Sequence, residues 1–319
     1  MLPKYISGVS VFEEWVLTLS TKPMKVWIFG ESHNSSEGCT SRTNDCIDFM
    51  TFLKRAIHAH TKTNLFIELS YIRPRPIFAK NRARLANIPA LFKDGNISKV
   101  KDKYLDCIFT FEAHKCDVPA KSLQFHPSDL RAEKLVDNKR GTSEYSVFSK
   151  PLFKPEAVLD LCMLVSNHQV LLYHFIISTN SQSSAIASVY TSLKAKKVLN
   201  DFKLKQMISL MFTYYDNKKG HEVDLTNKEI AKKLKTTCPT SINTVYLLAY
   251  LCSYGTIITD LYIILQCLNS AVLLEDSIIL TGSYHSGIYS LLLAFSGAKR
   301  TAVGKVSGGN KMCLKLGQN

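Results

Sequence analysis

Two short apolar runs limit what this chain can fold into. Lys25–Phe29 (KVWIF) and Ser277–Leu280 (SIIL) are continuous rather than alternating. Each leads straight into a polar segment with the same spacing, Gly30-Glu-Ser-His33 and Gly282-Ser-Tyr-His285. An unbroken run of this length marks a strand covered on both faces, as in a parallel sheet. Leu65–Leu69 (LFIEL) is a further run of this kind. Leu123–His126 (LQFH) reads as another strand, closed by Pro127 and Asp129-Leu-Arg131. Between the first two runs, Ile47, Phe49, Met50, Leu53, Ala56 and Ile57 recur at helical spacing within Asp45–His60. Strand, helix and strand make a βαβ unit, whose crossover is right-handed.

From Lys154 to about Ser270 the sequence reads as helix throughout, with little turn chemistry besides Asn217–Gly220 and Cys238–Pro239. The strand pattern then returns, followed by a helix over Gly287–Phe295 with Gly297 as its C-terminal cap. Arg300–Val306 and Met312–Leu316 read as two last strands. The expected architecture is α/β: a mainly parallel sheet with flanking helices and a large all-helical insertion. Residues 1–150 form the first half of the α/β domain, 151–272 the helical insertion or cap, and 273–319 the strands and helix that complete the domain.

In parallel sheets, ligands bind beyond the carboxyl ends of the strands. Four runs end there in polar groups: Glu31 and His33, Glu68, His126 with Asp129 and Arg131, and His285. Parallel neighbours would gather them on one edge. A glycine directly after a buried strand permits a sharp turn and close approach of a ligand. Two imidazoles with two or three carboxylates suit a divalent metal ion with a position left for water, and His33, Glu68 and His285 are the expected ligands. The same groups also suit metal-free chemistry, with one imidazole as general base and a carboxylate to orient it. Asp129 and Arg131 are read as supporting groups. Each residue also has a plain structural reading. The histidines would be ordinary satisfied side chains, Glu68 a buried ion pair, and Asp129 a helix cap.

At this point the sequence resembles a family. GESH after the first strand, the glutamate of NLFIEL, and a late GSYH leading into SGIYSLLLAF are similar to the TraB/TIKI, ChaN and erythromycin esterase superfamily. There a GxxH segment opens the fold, an acidic residue follows on the next strand, and a second GxxH closes it. The resemblance covers residues 24–70 and 258–296. It implies an α/β fold with a helical insertion. It also implies one of three activities: metal-dependent peptidase-like cleavage, metal-free ester hydrolysis, or heme-iron handling. By matching position, Glu31, His33, Glu68 and His285 carry over as site residues. Asp260-Leu-Tyr262, on the helix before the last motif, resembles uncharacterised proteins of large DNA viruses, so Tyr262 is a further supporting candidate. Those proteins place an arginine shortly afterwards, where this chain has Gln266 and Cys267. That departure keeps open a catalytically degenerate structural or interaction protein, with a viral setting, on the same fold.

Other signals compete. The formal net charge is +14, which favours acidic partners without dictating a fold. Its densest stretches, Lys93–Lys103, Lys194–Lys205 and Lys218–Lys235, read as solvated helix faces, with no strip of alternating aromatic and basic residues to stack bases. Leu225–Leu234 looks like the first helix of a helix-turn-helix, but Ser241–Leu251 after it is apolar and uncharged, which a DNA-reading helix is not. Nucleic-acid binding is the weakest reading. No phosphate loop and no Gly-x-Ser-x-Gly elbow occur. The uncharged stretch Thr236–Thr259 has the length of a membrane span, but its Asn243, Ser253 and Gly255 favour a buried helix. The nine cysteines include no Cys-x-x-Cys pair, and Cys162, Cys252 and Cys267 lie in apolar runs as small hydrophobes. With Glu13 and Glu14 where a signal sequence would need apolar residues, an intracellular, reducing location is expected. The substrate, small molecule or peptide, is left open.

Overall fold

The computed structural model describes residues 3–31, 46–56, 62–70, 95–97, 99–101, 103–104, 122–129, 185–218, 244–307 and 310–318. The strands are β1 (Tyr5–Ser7), β2 (Val11–Leu17), β3 (Met24–Glu31), β4 (Cys46–Asp48), β5 (Thr63–Ser70), β6 (Leu123–Asp129), β7 (Asp276–Gly282), β8 (Lys299–Ser307) and β9 (Asn310–Gln318). The helices are α1 (Phe49–Ala56), α2 (Ala185–Ala195), α3 (Asp201–Lys218), α4 (Thr244–Val272) and α5 (Ser283–Phe295). Residues 96–97, 99–101 and 103–104 are also helical.

All nine strands form one sheet in the order β4-β1-β9-β8-β2-β3-β7-β5-β6. The expectation of a mainly parallel sheet is corrected here, because the sheet is mixed. β3, β7, β5 and β6 are parallel neighbours, whereas β1, β9, β8, β2 and β3 pair antiparallel in succession. The physical reason is local. β2 turns back into β3, and β8 into β9, through connections far too short for a parallel crossover. β6 is an edge strand, which is why it runs on through Pro127 to Asp129. A proline there leaves no ladder hydrogen bond unmade in mid-sheet.

Period-two alternation assigns the two faces. Ile6, Phe12, Trp27, Phe29, Leu65, Ile67, Ile278, Leu280, Ala302 and Leu314 point to one side and pack with Phe49, Phe52 and Leu53 of α1 and with Ile97, Val100 and Tyr104. Phe29 meets Phe49 and Phe52 edge-on, each at 4.9 Å between ring centroids. The other face carries α5, which lies against β2, β3, β7 and β8.

Glu13 and Glu14 are buried in β2, one toward each face. Glu13 accepts from the Trp15 indole (2.7 Å), the Ser290 hydroxyl and Arg300. Glu14 accepts from the Trp27 indole (2.8 Å), Thr301 and Lys25. Burying a carboxylate is tolerable only when it is hydrogen-bonded and paired, and both are.

The chain divides into two compact units, Met1–Asp129 with Gln266–Asn319, and Leu130–Leu265. Among the described residues the second unit is helical. Leu193 of α2, Leu204, Met207, Met211 and Tyr215 of α3, and Leu261 and Ile264 of α4 are buried. The Tyr190 hydroxyl and Lys194 both donate to Asp201. No described helix is long and apolar enough to cross a membrane. The helix-turn-helix candidate, Leu225–Leu234, lies outside the described residues, as does Cys162.

Candidate functional site

Because β3, β7, β5 and β6 run the same way, their carboxyl ends share one edge. Glu31 stands opposite Gly282, Ile67 opposite Leu280, and Ser70 opposite Asp129. The register therefore sets Glu68 beside the end of β7.

The Glu68 carboxylate is buried there. One oxygen accepts the Gly282 amide at 2.8 Å, and the other lies 3.4 Å from His285 Nε2. His285 is buried as well. α5 starts at Ser283, immediately after β7, and Gly282 is its extended N-cap residue with no side chain to cap it. The helix thus begins four residues earlier than Gly287, and the second GxxH segment is its first turn rather than a loop. Side chains on a helix lean toward its N-terminus. The His285 ring is accordingly carried back over the strand ends, onto Glu68.

Gly30 seats this turn. A Cβ on Gly30 would fall 2.8 Å from Ser283 Cα, 3.0 Å from Val11 Cβ and 3.2 Å from Ser286 Oγ. The glycine of the first motif is the floor on which the second motif rests.

Gly30 faces α5, so alternation sends Glu31 to the opposite side. Its buried carboxylate accepts the backbone amides of Asn96 and Ile97, the latter at 3.2 Å. Gly95 allows this contact, since a Cβ there would lie 2.6 Å from Glu31 Oε1. Asn96 is fixed in turn through its side-chain amide to the Gly8 carbonyl. Glu31 therefore caps a helical turn, where its charge also meets the positive end of the helix dipole. The carboxylates do not gather on one side of the sheet. Glu68 and His285 come together on the α5 face, and Glu31 is directed to the other.

His33 and Arg131 lie outside the described residues. The backbone of Asp129 ends β6 on the expected edge, and its side chain also lies outside them. Tyr262 is buried on α4 in the helical unit, where nearby Asp260 accepts from the Tyr215 hydroxyl. Among the described residues, no three or more His, Cys, Asp or Glu side chains form a group able to hold a metal ion. Of the three expected ligands, Glu68 and His285 are neighbours. No protein-family model, curated protein or solved structure matches this chain.

A second polar cluster, at the other end of β5, was missed in the sequence. Asn64, buried, donates to Ser270 Oγ (3.0 Å) and Glu275 Oε2 (2.8 Å), and Lys62 pairs with Glu275 at 3.0 Å. The Asn64 carbonyl oxygen lies 2.8 Å from His126 Nε2. Since that oxygen can only accept, His126 must carry its proton on Nε2. His126 is half-buried, with its ring against Phe66. Desolvation pushes its pKa down to about 4, against the pull of Glu275 and with a further push from Lys62. The one sequence signal was a polar Asn64 opening an otherwise apolar strand.

Cys267 is fully buried, and burial pushes its thiol up to about 12, as expected for a structural cysteine. Cys267 forms no disulfide, whereas Cys313 is disulfide-bonded. Cys313 thereby departs from the unpaired cysteines expected of a reducing location.

Proposed function

We propose that the chain is a hydrolase of the TraB/TIKI and erythromycin esterase type, with Glu68 and His285 as the reacting pair. The observation that carries this reading is the 3.4 Å approach of His285 Nε2 to a carboxylate whose other oxygen is pinned by the Gly282 amide. An ionised Glu68 favours the imidazole tautomer with its proton on Nε2, which makes Nδ1 the basic nitrogen. Nδ1 takes a proton from water as the water oxygen bonds to the ester or peptide carbonyl carbon, and the proton then passes to the leaving oxygen or nitrogen as its bond to that carbon breaks, giving a carboxylic acid and an alcohol or amine. Glu68 holds the ring in place and steadies the imidazolium between the two transfers.

A divalent metal ion is the variant of this reading that His33 would complete, with Glu68 and His285 as the other ligands. Bound there, it would polarise the carbonyl and acidify water. Either form predicts hydrolysis of activated esters or short peptides. Glu68→Gln and His285→Ala should remove it, and purified protein with and without chelator separates the two forms. Turnover that survives both substitutions sinks the assignment.

A second reading, a degenerate interaction protein on the same fold, is favoured by the capping role of Glu31, which withdraws one expected carboxylate from the α5 face. It predicts no hydrolysis of any ester or peptide, with or without added zinc or manganese.

A further inference from the structure

Lys305 and Lys315 are directly opposed across β8 and β9, and Lys315 is also opposed to Tyr5 of β1. Like charges facing each other on adjacent strands repel. Both lysines are exposed, and among the described residues neither forms an ion pair. Lys4 brings a third ammonium to the row, 5.7 Å from the centre of the Tyr5 ring. The neighbours of the two lysines fix which face they occupy. A Cβ on Gly304 would touch Leu314 and Phe12, and Leu314 and Leu316 pack into the core on the α1 side. Lys305 and Lys315 therefore point to the opposite face, the one that carries α5, Glu68 and His285. Their level along the strands matches too. β8 runs antiparallel to β2 and β2 antiparallel to β3, so the late residues of β8 lie at the edge where β3 and β7 end.

Resting on the hydrolase reading, we infer that Lys305, Lys315 and Lys4 form an anion-binding arm of that site, selecting an extended substrate with negative charge set back from the bond that is cleaved. β8 is three strands from β7, a separation of about 14 Å. An extended chain covers that distance in about four residues. An acidic peptide or acidic peptidyl ester fits this spacing, and an uncharged acyl ester does not reach the row.

The test uses two peptidyl 4-nitrophenyl esters, one neutral and one with two glutamates four residues from the ester, and the full-length chain beside a Lys305→Ala/Lys315→Ala variant. The native chain should prefer the acidic ester by about tenfold in kcat/KM, mainly through KM. High salt should erase that preference, and the variant's ratio should fall to near one. A native ratio near one, or a preference the variant retains, overturns the inference. If neither ester is hydrolysed, fluorescence anisotropy of a labelled acidic peptide decides separately. Salt-sensitive binding that the variant loses keeps the anion-binding row and sinks only the hydrolase reading. Equal binding by both chains, or none by either, sinks the row as well.

Discussion

The two faces of the sheet treat a buried carboxylate at a strand end differently. On the α1 face, Glu31 is held by the amides of two successive helical residues. On the α5 face, Glu68 shares its oxygens between one amide and an imidazole. Amides do not titrate, and a carboxylate held by them serves as a cap. An imidazole can take up and give back a proton, which is what the proposed chemistry asks of the second arrangement. Burial and position at the sheet edge are the same for both. The donor type is what separates the cap from the pair proposed to react.

The comparison breaks most readily on turnover. Glu68→Gln keeps the shape but removes the charge that orients and steadies His285, and a loss of 10²- to 10⁴-fold in kcat is expected. Glu31→Gln, measured beside it, should leave the kcat of the folded protein within a few-fold. Equal losses in both would end the distinction drawn between the faces. Stability reverses the order. Glu31→Ala leaves two buried amide donors unsatisfied and should cost about 3 kcal/mol in urea unfolding, with Glu68→Gln well below that.

His126 sharpens the same contrast at the far end of the α5 face. Its folded pKa of about 4 lies below the ordinary value near 6.5, so the ring is neutral in the fold and gains its proton on unfolding. The associated stability is present above pH 6.5 and is lost as pH falls from 6.5 toward 4. It amounts to roughly 2 kcal/mol, since the residue keeps some contact with water. A stability profile flat over that window, or unchanged by His126→Gln, would refute it. The smallest effect is expected from Gly30→Ala, where the new methyl group presses on Ser283. About 1–2 kcal/mol of overpacking is expected, with His285 displaced from Glu68 and kcat lowered more than KM is raised.

Much of the parallel half was legible. KVWIF, LFIEL and SIIL are neighbouring strands inside the sheet, where both faces of an unbroken apolar run are covered, and LQFH, whose run is broken by Gln124, is the edge strand beside them. β8 and β9 were also visible as the last two strands, and Gly297 follows α5 with a positive φ of 85°. β2 was hidden. Glu13 and Glu14 interrupt its apolar pattern, and nothing local reveals that the Trp27 indole and the Ser290 and Thr301 hydroxyls, all distant in the chain, will help Trp15 satisfy them. Glu31 misled for a related reason. GESH suggests an active-site acid, but alternation from Gly30, whose direction is set by the packing of α5, turns that carboxylate away. Glu68 and His285 were legible as members of one edge, together with Glu31 and His33, but not as a pair, because the direction in which each side chain leaves its strand end is set by packing.

The Trp15 and Trp27 indoles, each bound to a buried glutamate of β2, are the only tryptophans in the chain. Both belong to the sheet unit, and the helical unit has none. Ultraviolet emission therefore monitors the centre of the sheet alone, while far-ultraviolet dichroism is weighted toward the helices. Unfolding curves recorded by the two methods will superimpose if the units melt together and separate if one melts first, which gives a label-free measure of how far the stability of the sheet unit is tied to that of the helical unit.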